Sequence, residues 1–138
     1  MYYQPTIVVT YPVHGGSGHH DHITLHHITK YLFFRRVKDL DFWKRLAFFT
    51  VIDTGKPMFL EGGVPRVNQS RKENIAITTV LNKEDIEAMK QALACYETYQ
   101  EMIKTTNVID RIGNETHFEL ANEKFDKVLT SITELIDQ

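Results

Sequence analysis

The sequence predicts an α/β fold in which helices cover a central β-sheet. Three apolar stretches of strand length, at 4–11, 46–52 and 74–81, are separated or followed by segments with helical periodicity. Strands and helices in this order are typical of a three-layer α/β sheet. A chain of 138 residues suits one compact domain, so we assign residues 1–138 to a single domain.

The first predicted unit is a strand, a turn and a helix. Residues 4–11 are apolar and β-branched, and they predict a buried strand that ends at Pro12. Three glycines between positions 15 and 18 allow a tight, irregular turn. A helix is expected from Asp21 to Phe34, because apolar residues recur near one face and an acidic residue suits the first turn.

The middle of the chain predicts two more strands. The continuous apolar run at 46–52 suits a strand that is covered on both faces. Residues 53–70 are rich in glycine and proline and are expected to form a long surface loop, while residues 74–81 predict the third strand. Three buried strands make a narrow sheet with unpaired backbone at its edge, so we expect part of the fold to lie outside this chain.

Two helices are predicted after the third strand. Asn82 and Asp85 form a capping box, and helical spacing of apolar residues continues to about Lys104. Thr116 and Glu119 form a second capping box. A final amphipathic helix is expected from there to the C-terminus, with an apolar face made of Phe118, Ala121, Phe125, Val128, Ile132 and Leu135.

Composition excludes several classes of partner. The formal net charge is -2 with neutral histidines and no basic stripe stands out, so we expect no nucleic-acid partner. No apolar run approaches the roughly 18 residues of a membrane span, and the N-terminus lacks a secretory signal. We therefore expect no membrane partner and a cytoplasmic location. The single cysteine, Cys95, excludes an internal disulfide.

Six of the seven histidines lie between His14 and His27. This cluster follows the first predicted strand, at the end of the strand where open α/β sheets carry their sites. Imidazole and carboxylate side chains that lie so close in sequence suit a transition metal, a proton relay or both. The histidine cluster is therefore the candidate functional site.

Four consecutive residues, 19–22, carry most of this chemistry. If the helix begins near Asp21, His19 and His22 point the same way, and a neutral nitrogen of His22 suits zinc. Asp21 would hold the proton of a neighbouring ring, although it equally suits a plain helix cap. His19 would then act as a general acid. His26 and His27 favour packing or surface roles.

A second class of function is also open for these histidines. His14, His19, His22 and His26 would form a non-catalytic module that binds a metal or a small ligand. His22 and His26 have the i, i+4 spacing of two-histidine zinc sites, but the glutamate of the protease motif is missing between them. Zn²⁺ is the metal that we expect at this cluster.

The string Pro12-Val-His-Gly-Gly-Ser-Gly-His-His-Asp-His-Ile23 resembles the Gly-His-x-Asp-His signature of the LmbE/PIG-L superfamily of zinc-dependent N-acetylglucosaminyl deacetylases. The bacillithiol biosynthesis deacetylases are the most similar branch. The resemblance covers nearly the whole chain and continues in 43–50, 75–80, 95–100 and 115–118. It implies a three-layer, Rossmann-like fold. The family's first motif, His-Pro-Asp-Asp-Glu, is missing, which implies an N-terminally truncated, incomplete domain.

The resemblance also implies a reaction, the hydrolysis of an N-acetyl group from an N-acetylglucosaminyl conjugate. His22 corresponds to a zinc ligand, His19 to the general acid or oxyanion stabiliser, and Asp21 to the carboxylate that tunes His19. The implied small-molecule substrate is N-acetylglucosaminyl malate, for which Arg66 and Arg71 are candidates to bind the malate carboxylates.

One zinc ligand in place of the three that a catalytic site needs predicts little or no activity for this chain alone. The sequence leaves homo-oligomerisation open.

Overall fold

The chain alternates short strands with helices. The computed structural model describes residues 3–35, 40–56, 58–59, 66–106, 110 and 113–136. The strands in these ranges are β1 (Ile7–Thr10), β2 (Arg45–Thr50), β3 (Met58–Phe59), β4 (Arg66–Val67), β5 (Ile77–Val80) and β6 (Glu115–Leu120). The helices are α1 (Gly15–Gly18), α2 (His20–Arg35), α3 (Lys83–Ala94) and α4 (Gln100–Thr106), with 3-10 turns at Lys72–Asn74 and Glu97–Tyr99. α1 is a single distorted turn, because its three glycines have positive φ.

Four of the strands form one mixed sheet in the order β1-β2-β6-β5. β1 and β2 are parallel, and β6 runs antiparallel to both of its neighbours. β3 and β4 form a separate antiparallel pair inside the long loop after β2. The predicted α/β class is confirmed, while the finer three-layer, Rossmann-like arrangement stays a prediction.

The core lies between α2 and the sheet. Leu46 and Phe48 of β2 and the neighbouring Ala121 are buried together, and Val8, Phe33 and Trp43 pack against them. Five of the six β2 residues are buried, so the predicted strand covered on both faces is confirmed. None of the helices in the described ranges is long and apolar enough to cross a membrane.

β1 lies at one edge of the sheet, and its predicted burial is therefore only partly correct. Thr10 is buried, but Val9 is 49% exposed. Apolar content alone predicted burial on both sides, whereas the exposure of a strand depends on the neighbours that the topology gives it.

The prediction of a final helix was wrong. Residues 115–120 form β6 instead, which pairs with β2 and β5 in the middle of the sheet, and residues 121–136 are not helical. The sequence pattern of this segment suits a strand and a helix equally. Thr116, Phe118 and Leu120 alternate with the two-residue period of a strand, while apolar residues also recur at helical spacing. Backbone φ is 60° at Asn122, a conformation that no α-helix contains.

The irregular segment after β6 packs on the sheet around a buried arginine. Arg45 is fully buried, and its guanidinium donates to both carboxylate oxygens of Glu123, at 2.7 to 3.2 Å. It also donates to the carbonyl oxygens of Ile132 and Glu134, at 2.6 and 2.9 Å. One β2 side chain therefore holds both ends of this segment on the sheet.

Candidate functional site

The turn between β1 and α2, residues 11–19, lies where the parallel strands β1 and β2 both end. We call it the histidine turn. It is joined to the loop that follows β2, because Asn68 donates its backbone N–H to the carbonyl of Gly16 at 2.8 Å. Ser70, two residues further on, donates its backbone N–H to Val51 at 2.8 Å. The histidine turn and the long loop thus meet at the carboxyl edge of the sheet.

Gly15 lies directly against the first turn of α2. Its φ is +63°, and a Cβ atom there would lie 2.9 Å from Cγ1 of Ile23 and 3.2 Å from Cβ of His22. Only glycine fits this conformation and this separation. The turn is therefore pressed directly against the first turn of α2, and the Gly15 carbonyl reaches the ring of His22.

His22 is half-buried and held on two sides. Its Nδ1 lies 3.0 Å from the carbonyl oxygen of Gly15. Because a carbonyl only accepts, Nδ1 carries the proton, and in the neutral ring Nε2 has the free lone pair. The ring also stacks on Tyr11, with centroids 3.8 Å apart and planes 4° apart. A backbone carbonyl on one ring nitrogen is the arrangement that orients metal-binding histidines in proteins.

His19 lies beside His22, with 5.1 Å between the ring centroids. The backbone N–H of Asp21 donates to Nδ1 of His19 at 3.2 Å. The neutral ring of His19 therefore carries its proton on Nε2. The two rings that the sequence placed side by side do lie together, one with a free lone pair and the other with a free N–H.

The carboxylate of Asp21 makes a longer contact than the sequence predicted. Oδ2 of Asp21 lies 3.8 Å from Nδ1 of His19, and the two side chains are 90% and 59% exposed. The hydrogen bond to His19 comes from the backbone amide of Asp21 instead. Asp21 also lies in the first turn of α2, where the helix dipole favours its charge.

His14 is part of a hydroxyl network that sequence reasoning missed. The backbone N–H of Gly16 donates to its Nδ1 at 3.2 Å, so Nε2 carries the proton and faces Oγ of Ser70 at 3.4 Å. Ser70 in turn lies 2.7 Å from Oγ1 of Thr50, and both hydroxyls are buried. Burial lowers the pKa of His14, while the charge of Glu119 partly opposes this. Both ring nitrogens are thus engaged in structural contacts.

His26 is buried under the site and takes the packing role that its position favoured. Its Nδ1 donates to the carbonyl of Tyr11 at 2.9 Å, and its ring lies 4.6 Å from the ring of Phe48. Burial lowers its pKa, partly offset by this hydrogen bond. His26 thereby fixes the backbone of Tyr11, whose ring stacks on His22. His27 and His20 are exposed.

The two predicted substrate-binding arginines lie near this edge of the sheet. Arg71 is exposed and directly follows Ser70, the residue that His14 contacts. The backbone of Arg66 belongs to β4, but its side chain lies outside the described part of the structure. Substrate binding by either residue stays a prediction.

A complete zinc site is not formed by the side chains that the structure describes. No three histidine, cysteine, aspartate or glutamate side chains among them converge in a way that could hold a metal ion. The four histidines proposed for a non-catalytic module therefore do not form one ligand group. His22 fits a single ligand position, which is fewer than the three that catalytic zinc needs.

The chain matches none of the protein-family models with which it was compared. A search of curated proteins likewise finds no match.

Proposed function

We propose that the histidine turn and the first turn of α2 together form part of a zinc-dependent deacetylase site. The reaction is the hydrolysis of an N-acetyl group from an N-acetylglucosaminyl conjugate, and N-acetylglucosaminyl malate is the substrate implied by the resemblance of the histidine turn. The proposal rests above all on the orientation of His22, whose Nδ1 donates to Gly15 and whose Nε2 is left free. The further ligands of such a site would lie outside the described residues.

The two histidines would have different roles in this site. His22 would supply one imidazole ligand, and zinc, when bound, would polarise the acetamide carbonyl. His19 presents an N–H on Nε2 at the neighbouring position and would donate a hydrogen bond from it to the developing oxyanion. Protonation of the leaving amine would require the imidazolium form of this ring.

Metal binding by His22 is testable in the chain itself. We expect Co²⁺ or Zn²⁺ to bind weakly, and the binding to be lost in His22→Ala, since one anchored imidazole is far from a full ligand set. His27→Ala removes an exposed histidine of the same helix and should leave binding unchanged. Co²⁺ absorption spectra and calorimetry measure the affinity. Equal binding by His22→Ala and the unaltered chain would contradict the proposal.

Turnover gives the second test. The purified 138-residue chain should hydrolyse N-acetylglucosaminyl malate little or not at all, as followed by release of a free amine. Chelator-sensitive turnover would show that the chain carries its full ligand set and that the incomplete-site interpretation is wrong.

The source of the other ligands is tested by the DNA sequence upstream of the Met1 codon. An in-frame His-Pro-Asp-Asp-Glu would support the deacetylase assignment, whereas an unrelated reading frame would count against it.

A further inference from the structure

One side of α2 presents a regular seam of exposed residues. Leu25, Ile28 and Leu32 are 47%, 53% and 37% exposed. Asp21 and Arg35, both exposed, extend the same row at its two ends. The five residues are spaced alternately by four and three positions, which is the spacing of a helix–helix contact. We call them the α2 seam: an apolar centre with an acidic residue at one end and a basic residue at the other.

The α2 seam lies on the side of the open sheet edge. It is displaced by roughly a third of a turn from the buried residues His26 and Thr29, at 100° per residue. A β1-α2-β2 connection between parallel neighbours is right-handed almost without exception. In a right-handed connection, the α2 seam faces away from β2 and lies over the outer edge of β1.

The outer edge of β1 is also unpaired among the described strands. β1 ends the sheet order, with β2 as its neighbour on one side only. Pro5 and Pro12 limit the free edge to the short segment between them. An unpaired edge beside an exposed apolar helix side is a surface that strand addition would cover.

We propose that two copies of this chain associate through β1 and the α2 seam. A two-fold axis perpendicular to the sheet would pair the β1 strands antiparallel and place both α2 helices on the same face. Strands about 4.8 Å apart would bring the two helix axes to about 10 Å, because each helix lies above its own β1–β2 pair. Packed helices have axes about 8–10 Å apart, so strand pairing and helix packing are satisfied together.

The charges of the α2 seam fit this symmetric arrangement. With the axis beside Ile28, each Leu25 faces Leu32 of the other copy, and each Asp21 faces Arg35 of the other copy. Unlike charges then meet at both ends of an apolar centre, and a net charge of -2 per chain adds little repulsion. The seam is complementary to itself, which is the requirement for a two-fold interface.

Sedimentation velocity of the purified chain tests this dimer. From about 1 to about 100 µM, the range in which a micromolar interface saturates, the mass should rise toward twice 16.1 kDa. Ile28→Glu should raise the dimer dissociation constant at least about 100-fold, because it buries two charges at the axis. Lys30→Glu is the matched control: Lys30 is exposed, lies about half a turn around α2 from the seam and should leave the dimer intact.

Charge reversal and cross-linking test the geometry of the pair. Arg35→Asp should weaken the dimer about tenfold, and adding Asp21→Arg should restore it. In a Cys95→Ser background, Ile28→Cys should form an intermolecular disulfide on oxidation, whereas Lys30→Cys should not. A chain that stays monomeric throughout, or a dimer that Ile28→Glu leaves intact, would overturn the proposal, as would a stable complex in which another polypeptide occupies the seam.

Discussion

At the residue scale, the candidate site depends on how hydrogen bonds fix each imidazole. The carbonyl of Gly15 holds the proton of His22 on Nδ1, and the backbone amide of Asp21 holds that of His19 on Nε2. Backbone groups thus assign opposite roles to two neighbouring rings: one has a free lone pair and the other a free N–H. The stack of Tyr11 on His22 fixes the plane of the first ring.

Gly15→Ala should disturb this arrangement more than Gly16→Ala. Both glycines have a positive φ, so an alanine is strained at either position. At position 15 the new Cβ would also meet Ile23 and His22, adding about 1–3 kcal/mol of overpacking. A Cβ atom at position 16 would have no atom of a non-neighbouring residue within 4 Å. Urea unfolding measures the difference, and the NMR shifts of the His22 ring report whether it remains stacked on Tyr11.

The titration of His26 predicts how stability changes with pH. Burial lowers its pKa from the ordinary 6.5, and burial lowers that of His14 as well. The unfolded chain therefore binds protons that the folded chain does not, so stability falls as pH drops below about 6.5 and levels off below the folded pKa values. His26→Asn keeps a donor for Tyr11 and should flatten this slope in unfolding curves between about pH 7.5 and about pH 5.

At the element scale, the sheet is held together by contacts between distant segments. β6 is inserted between β2 and β5, although 34 residues separate it from β5 in the chain. The segment after β6 depends on Arg45, since its guanidinium joins Glu123 to the carbonyls of Ile132 and Glu134. The capping box of Asn82 and Asp85, by contrast, is purely local, and it is confirmed.

Arg45→Met should therefore destabilise the chain far more than Lys127→Met. Removing the buried arginine leaves the Glu123 carboxylate and two carbonyls without their donor, at a cost of about 3 kcal/mol or more. The contact of Lys127 with Glu134 is exposed and worth about 0–1 kcal/mol. Urea denaturation compares the two variants, and hydrogen exchange at 121–136 shows whether this segment detaches. Similar losses in both variants would mean that Arg45 does not anchor it.

At the scale of the whole molecule, the distribution of apolar surface is uneven. The core between α2 and β2 is small, while Leu25, Ile28 and Leu32 remain exposed beside an open strand edge. Burying this surface between two copies would add stability to each, because association favours the folded state by mass action.

The midpoint of thermal unfolding should therefore rise with protein concentration. We expect about 2–3 °C for each tenfold increase if two folded copies unfold together. Differential scanning calorimetry over two decades of concentration measures this shift. The Ile28→Glu variant should show none, and a constant midpoint in the unaltered chain would speak against the dimer.

Local patterns were sufficient for much of the fold. β1, α2, β2, β5 and the start of α3 lie where apolar periodicity, Pro12 and the capping box placed them, because these signals depend on neighbouring residues alone. The helix expected to continue to about Lys104 ends at Ala94 instead, and a 3-10 turn separates it from α4. β6 could not be predicted in this way. Its residues have both the period of a strand and the period of a helix. Pairing with β2 and β5 decided in favour of the strand.

The sequence by itself determined the mixed α/β class, the place of the histidine turn after β1 and the closeness of His19 to His22, since all three follow from spacing within one short segment. Only the tertiary structure decided which ring nitrogens are free, which hydroxyls meet His14 and which strand lies at the sheet edge. Ser70 is 56 residues from His14 in the chain. Contacts over such separations depend on how the chain folds back on itself, and no local pattern encodes them.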